Sequence, residues 1–237
     1  MTGKQDVPSI VVTNIHKTVG DQVVLAGASL SLGRGEAVGL FGRSGSGKST
    51  LFNIILGVDR PDAGALALNG RDLGGLPPDA RARLGLGYVP QRPYIPPRMT
   101  VAHALTMAAE GAGHGSDEAV GEAMDAVAIE HLAARRVGQL SGGERRRVEI
   151  AYVLAMRPDF LLLDEPFAGL DPISVQGLIE RLRAITATGI GLLVADHNHL
   201  DTRKLTGRFY VLRQGMLVPG DQILRERELR RVGAAAS

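Results

Sequence analysis

The chain of 237 residues contains no cysteine and no tryptophan, and only 4% of its residues are aromatic. The lack of cysteine excludes disulfide bonds and thiolate metal sites, and it fits a reducing compartment. No apolar run approaches the roughly 18 residues of a membrane-spanning helix, and the N-terminus lacks the pattern of a secretory signal. We therefore expect a cytoplasmic protein with no direct membrane insertion, which touches a membrane only through a partner.

An excess of charge of one sign is also lacking, because 27 Lys and Arg residues face 25 Asp and Glu residues. The composition thus gives no argument for binding nucleic acid, and we expect no such partner. Residues 225–231 mix both signs and indicate a solvated helix face. A chain of this length can bury a full core and form one large domain or two small lobes.

Lysine is scarce, with four residues against 23 arginines, and one of the four lies in a glycine-rich stretch. That stretch consists of Gly42, Arg43, Ser44, Gly45, Ser46, Gly47, Lys48 and Ser49, and Thr50 follows it. It joins an apolar strand predicted at 37–41 to a helix predicted from 50, which is the context of a phosphate-binding P-loop. A turn rich in Gly and Ser with an incidental lysine is the alternative.

The chemistry of such a loop assigns roles to its residues. The glycines let the backbone wrap around phosphate oxygens, and the N-terminus of the helix adds its positive dipole end. We expect Lys48 to reach the β- and γ-phosphates and the Ser49 hydroxyl to bind Mg²⁺.

Two acidic residues follow an apolar strand predicted at 159–163. Asp164 stands where a carboxylate on the Mg²⁺ side is expected downstream of a P-loop, and Glu165 can polarise an attacking water as a general base. For either residue alone the alternative is a solvated strand end. A second apolar strand, 191–195, ends in Asp196 and His197, at the strand end where α/β sheets place ligands. A lone histidine is more often a surface or capping residue.

The pattern of apolar residues divides the chain into β-rich and helical parts. Residues of about 8–97 are β-rich with one embedded helix, about 98–156 are Ala-rich and helical, and about 157–225 return to alternating strands and helices and end in a hairpin. In the helical part Ser141 and Glu144 have the spacing of a capping box. One interpretation is a simple helix start. The other is a second anion site, because the two glycines between these residues expose N–H groups at the N-terminus of a helix.

From about residue 10 to 229 these motifs, in this order, resemble the nucleotide-binding subunits of ABC transporters. The resemblance identifies the P-loop as Walker A, Gln91 as the Q-loop glutamine, 140–144 as the family signature, 161–164 as Walker B, 168–171 as the D-loop and His197 as the switch histidine. It implies one domain, 1–237, of the α/β P-loop NTPase class. That domain would have a RecA-like core, an N-terminal antiparallel β lobe and an inserted helical lobe.

The resemblance also implies ATP and Mg²⁺ as cofactors. Ser49, Gln91 and Asp164 would be the metal-side residues. Glu165 would activate water, His197 would orient it, and Gln91 would link the site to integral membrane subunits. Ser141, Gly142 and Gly143 of the signature would contact ATP held by the opposite subunit, either in a homodimer or in a pair with another ABC subunit. Asp171 of the D-loop would also contact nucleotide.

Within the family, segments 140–151, 164–175 and 196–198 most resemble lipopolysaccharide-export ATPases. This implies a homodimer on the cytoplasmic face of the inner membrane, beneath two membrane subunits. The alternatives are another transporter ATPase, such as that of a branched-chain amino-acid importer, and a soluble ABC ATPase acting on nucleic acid or ribosomes. Such soluble proteins commonly carry two cassettes or a coiled-coil insertion, and this chain shows neither. A non-catalytic regulator would be favoured by the loss of Glu165 or His197, and both are present.

The chain departs from the family pattern at three places. The stretch 95–98 replaces an aromatic-and-basic stretch, Tyr152 replaces a frequent arginine, and no aromatic residue precedes Phe41. Val19 or His16 therefore occupies the position of the ring that stacks on adenine.

We also predict that prolines at 93, 96 and 97 stiffen the rim of a groove for a helix of the membrane subunit. Tyr94 and Ile95 would supply apolar contacts in this groove. Ordinary packing within the lobe is the alternative for both residues.

Overall fold

The computed structural model describes residues 9–197 and 199–224. Its strands are β1 (Ser9–Val19), β2 (Gln22–Gly33), β3 (Ala37–Phe41), β4 (Ala63–Leu68), β5 (Arg71–Asp72), β6 (Leu86–Val89), β7 (Phe160–Asp164), β8 (Gly191–Asp196), β9 (Arg208–Arg213) and β10 (Met216–Pro219). Its α-helices are α1 (Lys48–Leu56), α2 (Pro78–Arg83), α3 (Val101–Gly111), α4 (Asp117–Val127), α5 (Gly142–Leu154), α6 (Pro172–Ala187) and α7 (His199–Leu205). The charged face predicted at 225–231 and Asn198 of the segment 196–198 lie outside the described residues.

The first sheet is antiparallel and has the strand order β2-β1-β4-β5, which confirms the predicted β lobe. The apolar runs 23–25 and 28–32, which predict two short strands, form the single strand β2. Gly27 has a φ of 95°, and a Cβ there would lie 2.9 Å from Asn14 Oδ1. The glycine therefore serves a local irregularity in the pairing of β1 with β2.

The second sheet has six strands in the order β10-β9-β3-β8-β7-β6. All neighbours are parallel except the β9–β10 hairpin, which was predicted from the last apolar runs. Because parallel strands end at one edge, the segments after β3, β6, β7 and β8 meet there. The α/β class predicted from the sequence is confirmed.

Strand β7 is apolar throughout because both of its faces are covered. Leu161 and Leu163 belong to a hydrophobic cluster that includes residues of helices α3 to α6. Phe160 and Leu162 belong to the second cluster, which includes α1 and the antiparallel sheet. A strand buried on both faces needs apolar residues at every position.

Helices α3, α4 and α5 follow one another between β6 and β7. Thr100 and Ser116 cap α3 and α4 by accepting hydrogen bonds from His103 N (3.4 Å) and Ala119 N (3.2 Å). The sequence predicts a helix over 145–156, and helix α5 begins three residues earlier, at Gly142. The short helices α2 and α7 were not predicted, because six or seven residues contain too few turns for a clear period. None of the helices in the described ranges is long and apolar enough to cross a membrane.

Candidate functional site

The glycine-rich loop lies between β3 and α1, and its backbone requires glycine. Gly45 and Gly47 have φ values of 75° and 105°, which only glycine adopts without strain. A Cβ on Gly42 would lie 2.4 Å from Ser46 Oγ. Helix α1 has no side-chain cap and no acidic residue in its first turn. Its first N–H groups therefore face an anion-binding position.

The polar side chains of this loop fit a phosphate. Lys48 is buried, and its Nζ donates hydrogen bonds to Gly42 O (2.7 Å) and Arg43 O (3.3 Å). An ammonium group has three donor hydrogens, and the described residues accept two of them. The buried Ser46 hydroxyl finds no hydrogen-bond partner within the described part of the chain. A phosphate oxygen in the loop would satisfy both groups.

Three polar side chains converge at the carboxyl edge of the parallel sheet. Glu165 follows β7, and its Oε2 accepts a hydrogen bond from Gln91 Nε2 at 2.7 Å. Its other oxygen, Oε1, lies 3.3 Å from His197 Nδ1. Glu165 also has a positive φ of 46°, and such backbone strain in non-glycine residues clusters at functional sites. All three residues are predicted from the sequence as site residues, and in the structure their side chains are in contact.

Asp164 ends β7 beside this group. Burial raises the pKa of the Asp164 carboxyl, and the neighbouring charge of Glu165 acts in the same direction. Tyr88 donates a long hydrogen bond of 3.5 Å to Asp164 Oδ2, and burial followed by the charge of Asp164 raises the pKa of Tyr88 to about 12. A cation at this position would stabilise the two adjacent carboxylates.

The oxygen donors at this edge fit a Mg²⁺ ion that is shared with a bound phosphate. They are too few for a metal ion whose ligands all come from the protein. In the described ranges no group of three or more His, Asp or Glu residues could hold an ion. The expected set of Ser49, Gln91 and Asp164 supplies a hydroxyl, an amide oxygen and one carboxylate. Mg²⁺ typically uses one or two carboxylates together with substrate phosphates, which is what this edge offers.

A cavity of about 700 Å³ unites the loop and the strand ends. It is lined by Val19, Gln22, Val24, Ser44, Gly45, Ser46, Gly47, Lys48, Ser49, Thr50, Gln91, Asp164, Glu165 and His197. Gly42 and Arg43 support the loop through the contacts given above and do not line the cavity. Val19, and not the alternative His16, lies at the cavity. Gln22 and Val24 were not predicted from the sequence, since a residue at the start of a strand carries no motif.

The predicted signature residues lie elsewhere in the subunit, at the start of α5. Ser141 Oγ accepts a hydrogen bond from Glu144 N (3.3 Å), and Glu144 Oε2 accepts one from Ser141 N (2.8 Å). The capping box is therefore present. The hydrogen bond that Ser141 N donates to the Glu144 carboxylate is the main cause that lowers the pKa of Glu144. A Cβ on Gly143 would lie 2.7 Å from Ser174 Oγ on α6, so the two helix starts pack closely.

Asp171 is the N-cap of α6. Its Oδ1 accepts hydrogen bonds from Ile173 N and Ser174 N, each at 3.0 Å, and its Oδ2 accepts one from the Ser174 hydroxyl at 2.5 Å. These bonds from Ser174 lower the pKa of Asp171. Neither Asp171 nor the signature glycines line the cavity of their own subunit.

Arg146 is a residue of the site that the sequence analysis missed. Only 6% exposed, it donates from its guanidinium to three backbone carbonyls: Pro90 O (2.7 Å), Asp164 O (2.8 Å) and Pro166 O (3.3 Å). It also pairs with the buried Glu149 at 3.0 Å. One side chain thus fixes the segments that carry Gln91 and Glu165. The signal that could have identified it is the pair Arg146 and Glu149, two charged residues three positions apart on the otherwise apolar face of α5.

Comparison with known proteins agrees with this geometry. The family model described as "ABC transporter" matches residues 25–168, and the chain belongs to the ABC transporter family as one of its ATP-hydrolysing subunits. It is 42% identical to the lipopolysaccharide export system ATP-binding protein LptB of Acidithiobacillus ferridurans, over 86% of each chain. It is 38% identical to the LptB of Escherichia coli K12, over 94% of this chain and 96% of that protein.

Solved structures support the same fold. The ADP conformation of an ATP-binding cassette of an ABC transporter matches with a TM-score of 0.81 and 26% identity, covering 89% of each chain. A dimeric bacterial ABC transporter cassette matches with a TM-score of 0.74 and 27% identity, covering 88% of this chain and 96% of that one. Cassettes of this family bind nucleotide, dimerise and pair with membrane subunits.

Proposed function

We propose that this subunit hydrolyses ATP as a homodimer to drive the export of lipopolysaccharide. The observation that carries the catalytic part is the convergence of Gln91, Glu165 and His197 on a cavity formed by the P-loop. The choice of substrate is supported by the relatives of 38% and 42% identity, which are named as lipopolysaccharide export proteins and which this chain matches over most of its length.

Each residue of the cavity takes one task in this proposal. Lys48 and the amides of the P-loop bind the β- and γ-phosphates. Ser49, Gln91 and Asp164 hold Mg²⁺, which neutralises phosphate charge when it is bound. The carboxylate of Glu165 accepts the proton of the attacking water. His197, whose Nδ1 lies 3.3 Å from that carboxylate, orients the water.

The second subunit supplies the remaining contacts. Ser141, Gly142, Gly143 and Asp171 lie outside the cavity of their own subunit, so we propose that they act on nucleotide held by the other copy. Gly142 and Ser141 are exposed at the N-terminus of α5, where N–H groups and the helix dipole favour an anion. Two composite sites would form when two subunits close.

An apolar groove is the proposed docking site for a helix of the membrane subunit. The groove of about 310 Å³ is lined mainly by apolar residues of α1, α2, β6 and α5, together with Tyr94. The exposed Val58 lies at it, and Tyr94 meets Tyr152 edge-on with ring centroids 5.5 Å apart. Ile95 is buried in the core, so of the predicted pair only Tyr94 faces the groove. Docking here would hold the subunit at the cytoplasmic face of the inner membrane.

The experiment that tests the catalytic part uses Glu165→Gln, which keeps the shape of the side chain and removes its charge. We expect turnover to fall by roughly 10²–10⁴-fold, the usual range for a positioned general base. ATP binding should survive, and size-exclusion chromatography with ATP and Mg²⁺ should show a trapped dimer. Glu180→Gln, on the exposed face of α6, is the matched control. Wild-type turnover in Glu165→Gln, or a persistent monomer, would contradict the assignment.

A second experiment tests the substrate and the partners. The tagged full chain is purified from detergent-extracted membranes, and the bound proteins and lipids are identified by mass spectrometry. We expect integral membrane subunits and bound lipopolysaccharide. Recovery of membrane subunits with another bound substrate would refute the export proposal and leave the ATPase assignment intact.

A further inference from the structure

A buried carboxylate stands at the carboxyl edge of the parallel sheet and has no task in the proposed reaction. Asp196 ends β8, which lies between β3 and β7 in the six-stranded sheet, and the residue is only 2% exposed. Burying a charged group is costly unless other groups hold it. A carboxylate at this place therefore needs an explanation beyond the packing of the strand.

The two oxygens of the Asp196 carboxylate face different groups. Oδ2 accepts a hydrogen bond of 3.3 Å from the hydroxyl of Thr202, a residue of α7 that is fully buried. Oδ1 lies 3.7 Å from His197 Nδ1. The carboxylate therefore stands between a buried hydroxyl of α7 and the ring of His197.

Helix α7 gives the Thr202 hydroxyl a defined position. Leu205 of this helix belongs to the hydrophobic core, and the Arg183 guanidinium of α6 donates a hydrogen bond to Lys204 O. Because the core and α6 hold the helix, the Thr202 hydroxyl can hold the Asp196 carboxylate in one orientation.

The ring of His197 depends on its neighbours for its position, because its side chain is 61% exposed. Its Nδ1 lies near two carboxylates, Glu165 Oε1 at 3.3 Å and Asp196 Oδ1 at 3.7 Å. Glu165 is the proposed base and turns to the attacking water, whereas the buried Asp196 stays in place. A movement of about 0.7 Å would bring Nδ1 to a usual hydrogen-bond length from Asp196 Oδ1.

We propose that Asp196 and Thr202 are positioning residues of the hydrolysis reaction, an inference that rests on the proposed ATPase function. The Asp196 carboxylate favours a proton on Nδ1 of the neutral His197 ring, because the hydrogen bond that one ring nitrogen makes decides which nitrogen is protonated. Nε2 is then the nitrogen that acts on the attacking water. Thr202 acts through Asp196, since its hydroxyl orients the carboxylate that orients the ring.

Steady-state phosphate release from ATP tests the proposal. Thr202→Val keeps the shape of the side chain and removes its hydroxyl, so we expect kcat to fall by roughly three- to tenfold, which corresponds to one net hydrogen bond. Asp196→Asn should lower kcat by roughly 10–100-fold, the range found for carboxylates that orient metal-binding histidines. Neither change touches the P-loop, so KM, and the Kd of ATP from calorimetry, should stay within about twofold of the wild type.

Two further variants separate positioning from packing. Thr202→Ser keeps the hydroxyl and loses a methyl group, so it should retain most of the wild-type kcat. Thr206→Val is the matched control, because it removes a hydroxyl that bonds to Thr202 O (3.0 Å) and not to Asp196. It should change neither kcat nor KM.

The position of the ring proton gives a readout that does not depend on hydrolysis. Glu165→Ala removes the other carboxylate near Nδ1, and ¹⁵N NMR of labelled histidines shows which ring nitrogen carries the proton. The signal of His197 is identified by its loss in His197→Gln. We expect the proton on Nδ1 in Glu165→Ala, and a shift of population towards Nε2 when Thr202→Val or Asp196→Asn is added.

The outcomes separate the inference from the function on which it rests. A wild-type kcat in Thr202→Val, an equal loss in Thr202→Ser, or a proton on Nε2 in Glu165→Ala would overturn the positioning role and leave the ATPase function standing. A fall in kcat that comes with an equal loss of ATP affinity would also overturn it. A wild-type protein that releases no phosphate from ATP would refute the proposed function itself.

Discussion

Replacing Arg146 with methionine should destabilise the protein more than most single substitutions. The change leaves Glu149, 3% exposed, without its ion-pair partner and removes the donor from Pro90 O, Asp164 O and Pro166 O. Breaking a buried pair by removing one partner costs about 3–5 kcal/mol. A protein of this size loses about 2–4 °C of Tm per kcal/mol, so we expect Tm to fall by about 6–20 °C.

Thermal and urea unfolding measure this loss, and two further variants identify its source. Arg146→Lys keeps a charge but cannot reach several acceptors from one planar group, so it should be intermediate. Arg146→Met combined with Glu149→Leu removes the unpaired carboxylate and should recover part of the stability. A Tm for Arg146→Met within about 2 °C of the wild type would refute the reasoning.

The destabilisation should also depend on pH. Burial raises the pKa of Glu149, and the Arg146 guanidinium is the main opposing influence. Without Arg146 the pKa in the folded state rises further. A raised pKa gives stability that is present below the unfolded value and is lost as pH rises through the folded value. The cost of Arg146→Met should therefore be smaller at about pH 5 than at about pH 8.

Three further predictions concern the loop, the groove and the signature helix. Gly47→Ala should abolish nucleotide binding in a calorimetric titration, because φ is 105° and the new Cβ would lie 2.9 Å from Val24 Cγ1; binding at the wild-type level would contradict the close approach. Tyr94→Ala should weaken co-purification with membrane subunits while ATP affinity stays nearly intact, and a joint loss of both would show that Tyr94 is a core residue. Ser141→Ala removes an N-cap and should cost about 1 kcal/mol in urea unfolding, with little change expected for Ser9→Ala at the half-buried start of β1, which caps no helix, as the control.

Where local patterns carry the information, the sequence predicted which residues the structure brings together at the candidate site. The run before Lys48 and the acidic pair after β7 are short motifs at strand ends, and strand ends meet whenever a sheet is parallel. The capping box at Ser141 is equally local. Each of these features is caused by residues that are close together in the chain, so a single sequence is enough to predict it.

The features that were missed depend on residues far apart in the chain. Arg146 contacts Pro90 O across 56 residues and Asp164 O across 18. Arg81 is also buried, and it donates to Ile54 O and Ile55 O near the end of α1 from the short helix α2. The chain has 23 arginines, and local sequence does not reveal that, among those in the described ranges, Arg81 and Arg146 are the buried ones.

Helix α5 joins the groove, the catalytic edge and the signature in one element. Its N-terminus carries Ser141, its second turn holds Pro90 O and Asp164 O through Arg146, and its Glu149 carbonyl accepts a hydrogen bond of 2.8 Å from the Tyr94 hydroxyl. A helix moves as one body, so a shift of Tyr94 on the proposed docking would reach both the segment of Gln91 and the exposed signature. Coupling between two binding sites is reciprocal in free energy. Any factor by which a docked membrane helix changes the affinity for ATP must therefore equal the factor by which ATP changes the affinity for that helix.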